Sequence, residues 1–386
     1  GGIDSCTSAL RLMAEGYHVV ALTIDTMGDE AMLHKARTKA EEIGAEWLMY
    51  DAREEFKREI IDYFCQEYAM GHTPAPCTRC NPLIKWRTML NEANRLGIKH
   101  IATGHYFNIE KRNERYYVTK GVDESKDQSY YLWGLSQEIL ARAITPMGNA
   151  IKSDVKQAFE DKSESMGICF LSGKPYADFL LSQGITMPEG DIVTKQGDVC
   201  GRHNGIARYT IGQRRGVGIP EGMRVIGIDA THNHIIVGEN ELLFHNQLHI
   251  AHCNIVDEEE LLTAKDITVK IRGIGRNPEL PVSIEATPSG YIVKTQDPAW
   301  APAIGQPLVF YRDNLVIGGG IIFIVAVIRI VIVFHVLLRI FDDTRFLQHL
   351  VPKCLMDTVK CDLFFGFFKL GAELCAVFFL CAPTRF

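Results

Sequence analysis

The sequence lacks an excess of basic residues. Its 41 Lys and Arg stand against 47 Asp and Glu, and the formal net charge is −6. A chain of this balance has no overall positive field to attract nucleic acid, so any contact with RNA must come from a local patch. Small basic clusters exist at Arg214–Arg215 and at Arg272 with Arg276, but each taken alone is better explained as solvated surface charge.

Several other features are missing. Nothing resembles a signal peptide, and the eleven cysteines form an odd number in a chain of 386 residues. Such a chain is more typical of a reducing compartment than of a disulfide scaffold, so we expect a cytoplasmic protein. Its functional cysteines should then be catalytic, redox-active or metal-binding. No internal repeat is visible.

The first 165 residues alternate between helical and strand patterns. Helices are expected at residues 5–15, 30–43, 53–70 and 82–96, and strands at 17–24, 46–50 and 98–104. This order predicts a parallel α/β sheet, which binds ligands beyond the carboxyl ends of its strands. Gly1, Gly2 and Gly104 would lie at that edge. A strand should also feed the Gly1–Gly2 loop, so we expect an N-terminal strand to be missing.

After about residue 166 the pattern becomes short apolar runs separated by Gly, Asn, Asp and Pro. Strands are expected at 191–193, 207–210, 225–228, 234–237, 269–271, 282–284, 291–293 and 308–310. A small central β-rich domain and a C-terminal β-barrel would explain them. The expected domains are therefore 1–165, 166–244 and 245–322, followed by an apolar tail at 323–386.

Residues 321–341 are almost wholly apolar and long enough to span a membrane. Arg329 and Arg339 would be costly inside a bilayer. We therefore favour a tail of non-native origin, such as a frameshifted reading frame, and expect no membrane association. A membrane-tethered protein is the alternative, and it depends on this stretch alone.

Two short segments carry residue types suited to chemistry. The segment Gly1–Ser5 precedes a helix, where glycines let backbone N–H groups approach a phosphate and the helix dipole favours anions. Ser5 could cap that helix, and an ordinary N-cap after a glycine turn explains the segment about equally well.

Cys77 and Cys80 form a Cys-x-x-Cys pair just before an expected helix, where a thiol near an arginine reacts as thiolate. The pair could be a redox dithiol, half of a zinc site or part of an iron–sulfur site. No second Cys-x-x-Cys or paired His at zinc spacing is present, which weakens structural zinc. Most other cysteines fit small buried hydrophobes: Cys6, Cys65, Cys200 and Cys253. Cys169 in isolation could be a core strand residue.

Seven motifs, taken in order, resemble those of the tRNA-specific 2-thiouridylases, a family within the PP-loop ATP pyrophosphatase superfamily. The motifs are Gly1-Gly2-Ile3-Asp4-Ser5, Cys80-Asn81 with Ile84-Lys85-Trp86, Ala102-Thr103-Gly104-His105-Tyr106, Lys126-Asp127-Gln128-Ser129-Tyr130, Gly167-Ile168-Cys169-Phe170, Tyr209 to Gly216 and Gly318 to Ile322. The first lacks the family's leading Ser. Together they cover residues 1–322 in the family's order, which is far more specific than any one of them.

The resemblance implies an enzyme that uses ATP and Mg²⁺ to place sulfur at position 2 of the wobble uridine of tRNA. Cys80 would be the nucleophile, and Cys169 would carry the persulfide. Residues implied to hold ATP are Gly1, Gly2, Asp4, Ser5, Ile24 and Gly104. Residues implied to contact tRNA are Ala75, Pro76, His105, Lys126, Asp127, Gln128, Arg272 and Gln306. The implied partners are tRNAs for Lys, Glu and Gln and a sulfur donor or relay protein.

The implied chemistry begins with adenylation of the uridine O2, which turns a poor leaving group into AMP. Persulfide sulfur on Cys169 then attacks the activated carbon. Attack by Cys80 on that persulfide leaves a Cys80–Cys169 disulfide, which a reductant must reset. The wobble base must leave its stack to reach the site.

One departure from the family leaves the mechanism open. Many relatives carry Asp where Cys77 stands, so Cys77, Cys80 and Cys169 could instead ligate a 4Fe–4S cluster with one iron open to bind sulfide. The segment before Cys169 is also a few residues shorter than in the family. Two other functions remain: a PP-loop enzyme with a different acceptor, and a catalytically inactive RNA-binding relative.

Overall fold

A computed structural model describes residues 2–157, 167–216, 218–273 and 275–325. Gly1 and the expected tail from residue 326 onward lie outside the described residues, as does most of the apolar stretch 321–341. None of the described helices is both long enough and apolar enough to cross a membrane.

The helices are α1 (Ile3–Ala14), α2 (Glu30–Glu42), α3 (Arg53–Phe56), α4 (Asp62–Ala69), α5 (Pro76–Cys80), α6 (Trp86–Leu96), α7 (Gln137–Arg142), α8 (Lys152–Gln157), α9 (Tyr176–Ser182) and α10 (Glu258–Thr263). The strands are β1 (Val20–Asp25), β2 (Glu46–Asp51), β3 (Ile101–Ala102), β4 (Phe107–Arg112), β5 (Arg115–Lys120), β6 (Ala143–Ile144), β7 (Gly190–Thr194), β8 (Val199–His203), β9 (Arg224–Asp229), β10 (His234–Gly238), β11 (Phe244–Ile255), β12 (Thr268–Lys270), β13 (Val282–Thr287), β14 (Gly290–Trp300), β15 (Pro307–Arg312) and β16 (Leu315–Val325).

The N-terminal region has the expected α/β architecture with parallel strands. Strand β1 pairs in parallel with β2, and β3 pairs in parallel with β6. Asp29 caps α2 by accepting a hydrogen bond from the Met32 N–H, and Gly97 ends α6 in the left-handed conformation. The strand expected at 98–104 covers only Ile101–Ala102, and the Thr103 carbonyl and Gly104 that follow pack against α1.

Two long helices in this region each contain a π-helical turn. Lys57–Ile61 joins α3 to α4, and Asn81–Lys85 joins α5 to α6. The second helix therefore begins at Pro76, six residues before the expected start at residue 82. Cys77 and Cys80 consequently lie within its first turns, and the prediction that they precede the helix was wrong. Single π-helical turns are rare and often accompany functional sites.

The central region contains the four-stranded sheet β8–β7–β10–β9. The strand expected at residues 207–210 was wrong, because Ile206–Arg208 forms a 3₁₀ turn. Glycines with positive φ bracket the segment, Gly205 at 115° and Gly212 at 88°. The side chains of Ile206 and Tyr209 are buried in the core of this sheet without any strand pairing, so an apolar run resembled a strand.

The C-terminal region is an antiparallel sheet of order β12–β15–β16–β11–β14–β13. Strand β16 extends to Val325 and its Ile322 is fully buried. The beginning of the apolar stretch at 321–341 is therefore a core strand. The β4–β5 hairpin of the N-terminal region joins the same sheet through Leu315 and Thr119.

Shared cores hold the three regions together. One buried cluster combines Trp86 and Leu132 of the N-terminal region with Val309 and Val316 of the C-terminal sheet. A second cluster packs Cys80 and Ile84 with Phe170, Phe179 and Leu180. The second cluster brings the residue after Cys169 into the same core as Cys80, although 89 positions separate the two cysteines in sequence.

Candidate functional site

The N-terminus of α1 presents backbone N–H groups without a side-chain cap. Gly2 is the N-cap residue, with φ −77° and ψ 162°, and no side chain caps the helix there. Asp4 and Ser5 therefore lie in the first helical turn, and the expectation that Ser5 caps the helix was wrong. The first N–H groups of a helix have no intrahelical acceptor, and the helix dipole adds a positive potential, so an anion is favoured at this end.

Gly104 is packed against this turn. A Cβ atom at Gly104 would lie 2.8 Å from the Asp4 carbonyl carbon and 2.8 Å from the Ser5 nitrogen. No side chain larger than hydrogen fits there without moving the backbone. The Ser8 hydroxyl also donates to the Thr103 carbonyl over 3.1 Å, which fixes α1 against the same loop. Asp4, Ser5 and Gly104 thus lie together at the first turn of α1.

Asp4 lies in an ionic network with two residues far away in sequence. The Lys152 ammonium donates to Asp4 Oδ1 and Oδ2 over 2.6 and 2.7 Å, and the Tyr106 hydroxyl donates to Oδ1 over 2.8 Å. Lys152 Nζ also lies over the Tyr106 ring, 5.6 Å from its centroid. Burial, followed by the bond to Asp4, raises the pKa of Tyr106 well above its usual value, so this hydroxyl stays protonated as a donor.

Sequence reasoning missed Lys152. It is the first residue of the short helix α8, lies 148 positions from Asp4, and its side chain is only 8% exposed. Nothing in its local sequence distinguishes it from a surface lysine. The Lys152 N–H donates to Asp123 Oδ2 over 2.9 Å, which anchors the beginning of α8.

The segment Lys126–Gln128, expected to contact tRNA, braces the loop that carries Tyr106. Gln128 Oε1 accepts from the Tyr106 N–H over 2.9 Å, and the Gln128 N–H donates to the Tyr106 carbonyl over 3.0 Å. The Asp127 side chain is 5% exposed and accepts from the Gly121 and Ser129 N–H groups. Lys126 donates its backbone N–H to the Asp123 carbonyl.

His105 belongs to the same loop, and its ring packs against the buried side chain of Trp86. Its Nδ1 lies 2.8 Å from Thr103 Oγ1, and its ring stacks on Trp86 at a centroid distance of 6.2 Å. Burial, with a smaller contribution from the Lys85 charge, lowers the pKa of His105 to about 3. The imidazole is therefore neutral at physiological pH.

The three candidate thiols differ in exposure and interact electrostatically. Cys80 is buried, Cys77 is partly buried and Cys169 is exposed. Burial raises the pKa of Cys80 to about 12, opposed by Lys85 through its charge and its backbone N–H, while Cys169 and Cys77 raise it further. Burial also raises the pKa of Cys77, again opposed by Lys85. Lys85 is therefore the cation that favours both thiolates.

The cysteines of the described residues are all free thiols. Within that part of the chain, no group of three His, Cys, Asp or Glu side chains is arranged to hold a metal ion. Cys77, Cys80 and Cys169 thus do not form a metal-binding set in this structure. Of the expected small buried hydrophobes, Cys6 and Cys65 are buried and Cys253 is partly buried. Cys200 is exposed, and that expectation was wrong.

The loop before Cys77 contacts both β regions. The Thr73 N–H donates to the Ile304 carbonyl over 2.8 Å, and Thr73 Oγ1 lies 3.0 Å from Thr210 Oγ1. Gln306 lies in the facing turn and its Oε1 accepts from the Ala303 N–H. Pro76 is buried at the first position of α5, and the Ala75 carbonyl accepts from the Thr78 hydroxyl. Ala75, Pro76 and Gln306 therefore lie around one junction.

The guanidinium of Arg272 is engaged in contacts within the protein. Its Nη2 donates to the carbonyls of Trp300 and Ala301, and its guanidinium lies 5.4 Å from the Trp300 ring centroid. Arg224 lies over the same ring at 5.7 Å. Desolvation lowers the pKa of Arg272. These contacts link the central sheet to the C-terminal sheet. Ile24, another expected nucleotide contact, lies at the end of β1, half-buried beside Tyr50.

Three family descriptions match consecutive parts of the chain. The description "tRNA methyl transferase HUP domain" matches residues 1–173, "tRNA methyl transferase PRC-barrel domain" matches residues 177–239, and "Aminomethyltransferase beta-barrel domain" matches residues 245–322. The observed parallel α/β region, central sheet and antiparallel C-terminal sheet follow the same order.

Curated relatives match over nearly their whole length. The chain is 38% identical over 338 residues to tRNA-specific 2-thiouridylase MnmA 2 of Phocaeicola vulgatus, covering 83% of this chain and 95% of that protein. It is 39% identical over 356 residues to tRNA-specific 2-thiouridylase MnmA of Natranaerobius thermophilus, covering 83% and 95%. It is 36% identical over 345 residues to tRNA-specific 2-thiouridylase MnmA 1 of Clostridium botulinum, covering 83% and 97%.

Proposed function

The chain belongs to the tRNA-specific 2-thiouridylase family, and from this premise we propose that it uses ATP to replace the 2-oxygen of the tRNA wobble uridine with sulfur. The observation that carries the proposal is the meeting of Asp4, Gly104 and Tyr106 at the N-terminus of α1, in the same α/β region that carries Cys80. The N-terminus of α1, called here the phosphate end, suits an anion, and α5 of the same region, called here the sulfur end, carries the thiols of Cys77 and Cys80.

ATP is a substrate that binds with its phosphates at the N-terminus of α1. Gly1, Gly2, Asp4 and Ser5 receive the phosphates, while Ile24 and Gly104 line the nucleotide site through their backbones. The uridine O2 attacks the α-phosphorus, the bond to the β-phosphate oxygen breaks, and pyrophosphate leaves. Mg²⁺ typically takes one or two carboxylates plus phosphate oxygens, so Asp4 would be its protein ligand in exchange for the Lys152 ammonium, which contacts both carboxylate oxygens in this structure. Mg²⁺ bound there would neutralise phosphate charge.

Sulfur arrives as the terminal atom of a persulfide on Cys169, whose exposure gives a donor protein access to it. That sulfur bonds to C2 of the uridine, and AMP leaves with the former O2. The Cys80 thiolate then attacks Cys169 Sγ and breaks the S–S bond, leaving sulfur on the base and forming a Cys80–Cys169 disulfide. A dithiol reductant supplies the two electrons that restore both thiols. A cytoplasmic setting supplies both tRNA and reductant.

The tRNA, of Lys, Glu or Gln type, lies across the three regions expected as domains 1–165, 166–244 and 245–322. Ala75 and Pro76 approach the target base, since they precede Cys77 and Cys80 on the same helix. Lys126 and Gln306 contact the tRNA directly. Asp127, Gln128, His105 and Arg272 are engaged inside the protein and serve the tRNA by holding the surrounding loops.

The described thiols do not fit an iron–sulfur cluster, because Cys77, Cys80 and Cys169 are not arranged as a metal-binding set. Iron content measured after anaerobic purification tests this directly. Iron near four atoms per chain, with sulfide-dependent activity lost in Cys77→Ala, would replace the persulfide mechanism with the cluster mechanism.

The proposed function is tested by incubating the chain with tRNA, ATP and a persulfide donor and digesting the tRNA for nucleoside mass spectrometry. We expect 2-thiouridine that depends on ATP and on both Cys80 and Cys169. ATP cleavage with sulfur-free tRNA would favour a PP-loop enzyme with another acceptor. Binding of tRNA without ATP cleavage would favour an inactive RNA-binding relative.

A further inference from the structure

Lys152 is a buried cation at the centre of the phosphate end of the site. Its side chain is 8% exposed, and its ammonium contacts both carboxylate oxygens of Asp4 at 2.6 and 2.7 Å. Removing a lysine ammonium from water is costly unless a partner compensates. The burial of the Lys152 ammonium beside the first turn of α1 therefore indicates a role other than that of a solubilising surface charge.

The surrounding contacts hold Lys152 in a fixed position. Asp123 accepts the Lys152 N–H over 2.9 Å, so the backbone at the beginning of α8 is anchored. The Tyr106 ring lies beneath the ammonium, and the Tyr106 hydroxyl shares Asp4 Oδ1 with it. Arg11, on the same helix as Asp4, donates to the Pro146 carbonyl over 2.7 Å and thereby ties α1 to the segment that leads into α8. The ammonium is thus preorganised at the first turn of α1.

The charge balance of this end argues for a role toward phosphate. ATP brings several negative charges to a helix turn that already contains the carboxylate of Asp4. Among the described residues, the side-chain partners of Asp4 are Tyr106 and Lys152, and of these two only Lys152 carries positive charge. Preorganised charges aimed at a leaving group stabilise the transition state, because they need no rearrangement when charge develops.

We propose that Lys152 binds the β- and γ-phosphates of ATP and stabilises the pyrophosphate that leaves during adenylation. The ammonium is held beside the helix turn by Asp4 and Tyr106 and pairs with a phosphate oxygen when ATP enters. This inference rests on the proposed use of ATP. It assigns a phosphate ligand to a residue that no motif of the sequence marks.

The alternative role for Lys152 is purely structural: it neutralises Asp4 and never touches a ligand. The two roles differ in what happens when Asp4 also loses its charge. A neutraliser becomes dispensable once Asp4→Asn removes its partner, so the double variant should bind as Asp4→Asn does. A phosphate ligand remains necessary, so the double variant should bind more weakly than Asp4→Asn.

The experiment measures the binding of pyrophosphate, ATP and AMP by calorimetry at fixed Mg²⁺, with the full chain and five variants. We expect Lys152→Met to weaken the binding of pyrophosphate and of ATP by about 10- to 100-fold, which is the range of one charge-assisted hydrogen bond. The affinity for AMP should change by less than about threefold. Lys152→Arg should recover part of the loss. Lys111→Met, which removes an exposed lysine paired with Glu114, is the matched charge control and should change nothing.

The test is completed by comparing the single variant Asp4→Asn with the double variant Asp4→Asn/Lys152→Met. Thermal melting of each variant checks that it is folded. Equal pyrophosphate affinity in Lys152→Met and the unaltered chain would overturn the inference, as would equal affinity in the double variant and Asp4→Asn. Failure of the unaltered chain to bind either ATP or pyrophosphate would instead overturn the proposed function. The two failures are therefore distinguishable.

Discussion

At the phosphate end of the site, ionic and hydrogen-bonded contacts already join Asp4, Tyr106 and Lys152. At the sulfur end, Cys80 is a buried thiol whose pKa is raised to about 12, while Cys169, its proposed partner, is exposed and forms no disulfide. The side chains at the phosphate end are already held in place by their contacts. The Cys80 thiol is unreactive in this state, because a protonated thiol is a poor nucleophile. This difference suits an enzyme that must activate the tRNA base with ATP before it transfers sulfur.

The largest effect should come from breaking the sulfur end alone. We expect Cys80→Ser to lower 2-thiouridine formation by about a thousandfold or more, because a hydroxyl cannot take part in the exchange with the persulfide. Pyrophosphate affinity should remain as in the unaltered chain. Nucleoside mass spectrometry and calorimetry measure the two quantities.

Cys200→Ser is the matched control for Cys80→Ser, since Cys200 is an exposed thiol outside the candidate site. Its thiolation activity should equal that of the unaltered chain. Substantial 2-thiouridine from Cys80→Ser would contradict the assignment of Cys80 as nucleophile.

Breaking the phosphate end alone should have the next largest effect. Gly104→Ala places a methyl group 2.8 Å from backbone atoms of Asp4 and Ser5, so the loop must shift. A displacement of about 1 Å can lower a rate by about a hundredfold, and we expect a loss of that order in kcat/KM for ATP. Alkylation of Cys169 should be unaffected.

Gly44→Asn provides the control for Gly104→Ala. Gly44 has a φ of 79° with open space around its missing Cβ, and Asn tolerates that conformation well. Activity should be retained. Full activity in Gly104→Ala would contradict the close packing of this glycine against the phosphate loop.

A smaller effect should follow from removing the cation beside the thiols. Lys85 lowers the pKa of Cys80, so Lys85→Met should raise that pKa and shift the alkylation profile of Cys80 to higher pH. Below pH 12 the thiol form dominates, and the rate should rise with pH in both proteins. At a given pH we expect Lys85→Met to react about tenfold more slowly, corresponding to about one pKa unit.

Site-resolved mass spectrometry after alkylation measures this profile. Lys85→Arg keeps the charge and should retain most of the original rate. A Cys80 rate that is unchanged or faster in Lys85→Met would show that Lys85 does not stabilise the thiolate.

The smallest effect should come from Cys77. Because the described thiols do not form a metal-binding set, we expect Cys77→Ala and Cys77→Asp to change thiolation with a persulfide donor by no more than about threefold, as for a partly exposed side chain outside the chemistry. A large loss in both variants would assign Cys77 a chemical role and revive the cluster mechanism.

Much of the phosphate end could be predicted from sequence. Strand and helix periodicity indicated a parallel α/β region, and loops at the carboxyl ends of parallel strands meet at one edge, which brought Gly104 to Asp4. Lys152 could not be predicted, because its partner lies 148 positions away and one lysine at the start of a short helix carries no local signal. Only the tertiary packing of α8 beside α1 reveals it.

The helix that carries the cysteines shows a different limit. The helix was expected to begin at residue 82, which is a proline; inside a helix a proline lacks an N–H and clashes with the carbonyl four residues earlier. In the structure Pro82 lies inside the π-helical turn Asn81–Lys85, where the wider turn lets the helix continue. The burial of Asp127 and the inward contacts of Arg272 likewise could not be predicted from the sequence. A polar residue in a motif suggests ligand contact in either case, whether its side chain touches the ligand or holds the loop that does.

The central claim is that one protein activates a tRNA base with ATP and then delivers sulfur from a separate thiol site. Its most direct test is tRNA-dependent exchange of labelled pyrophosphate into ATP, measured alongside 2-thiouridine in Cys80→Ser. We predict that exchange persists while thiolation disappears. Loss of both activities in a folded variant, or thiolation that survives without Cys80, would contradict the separation of the two sites.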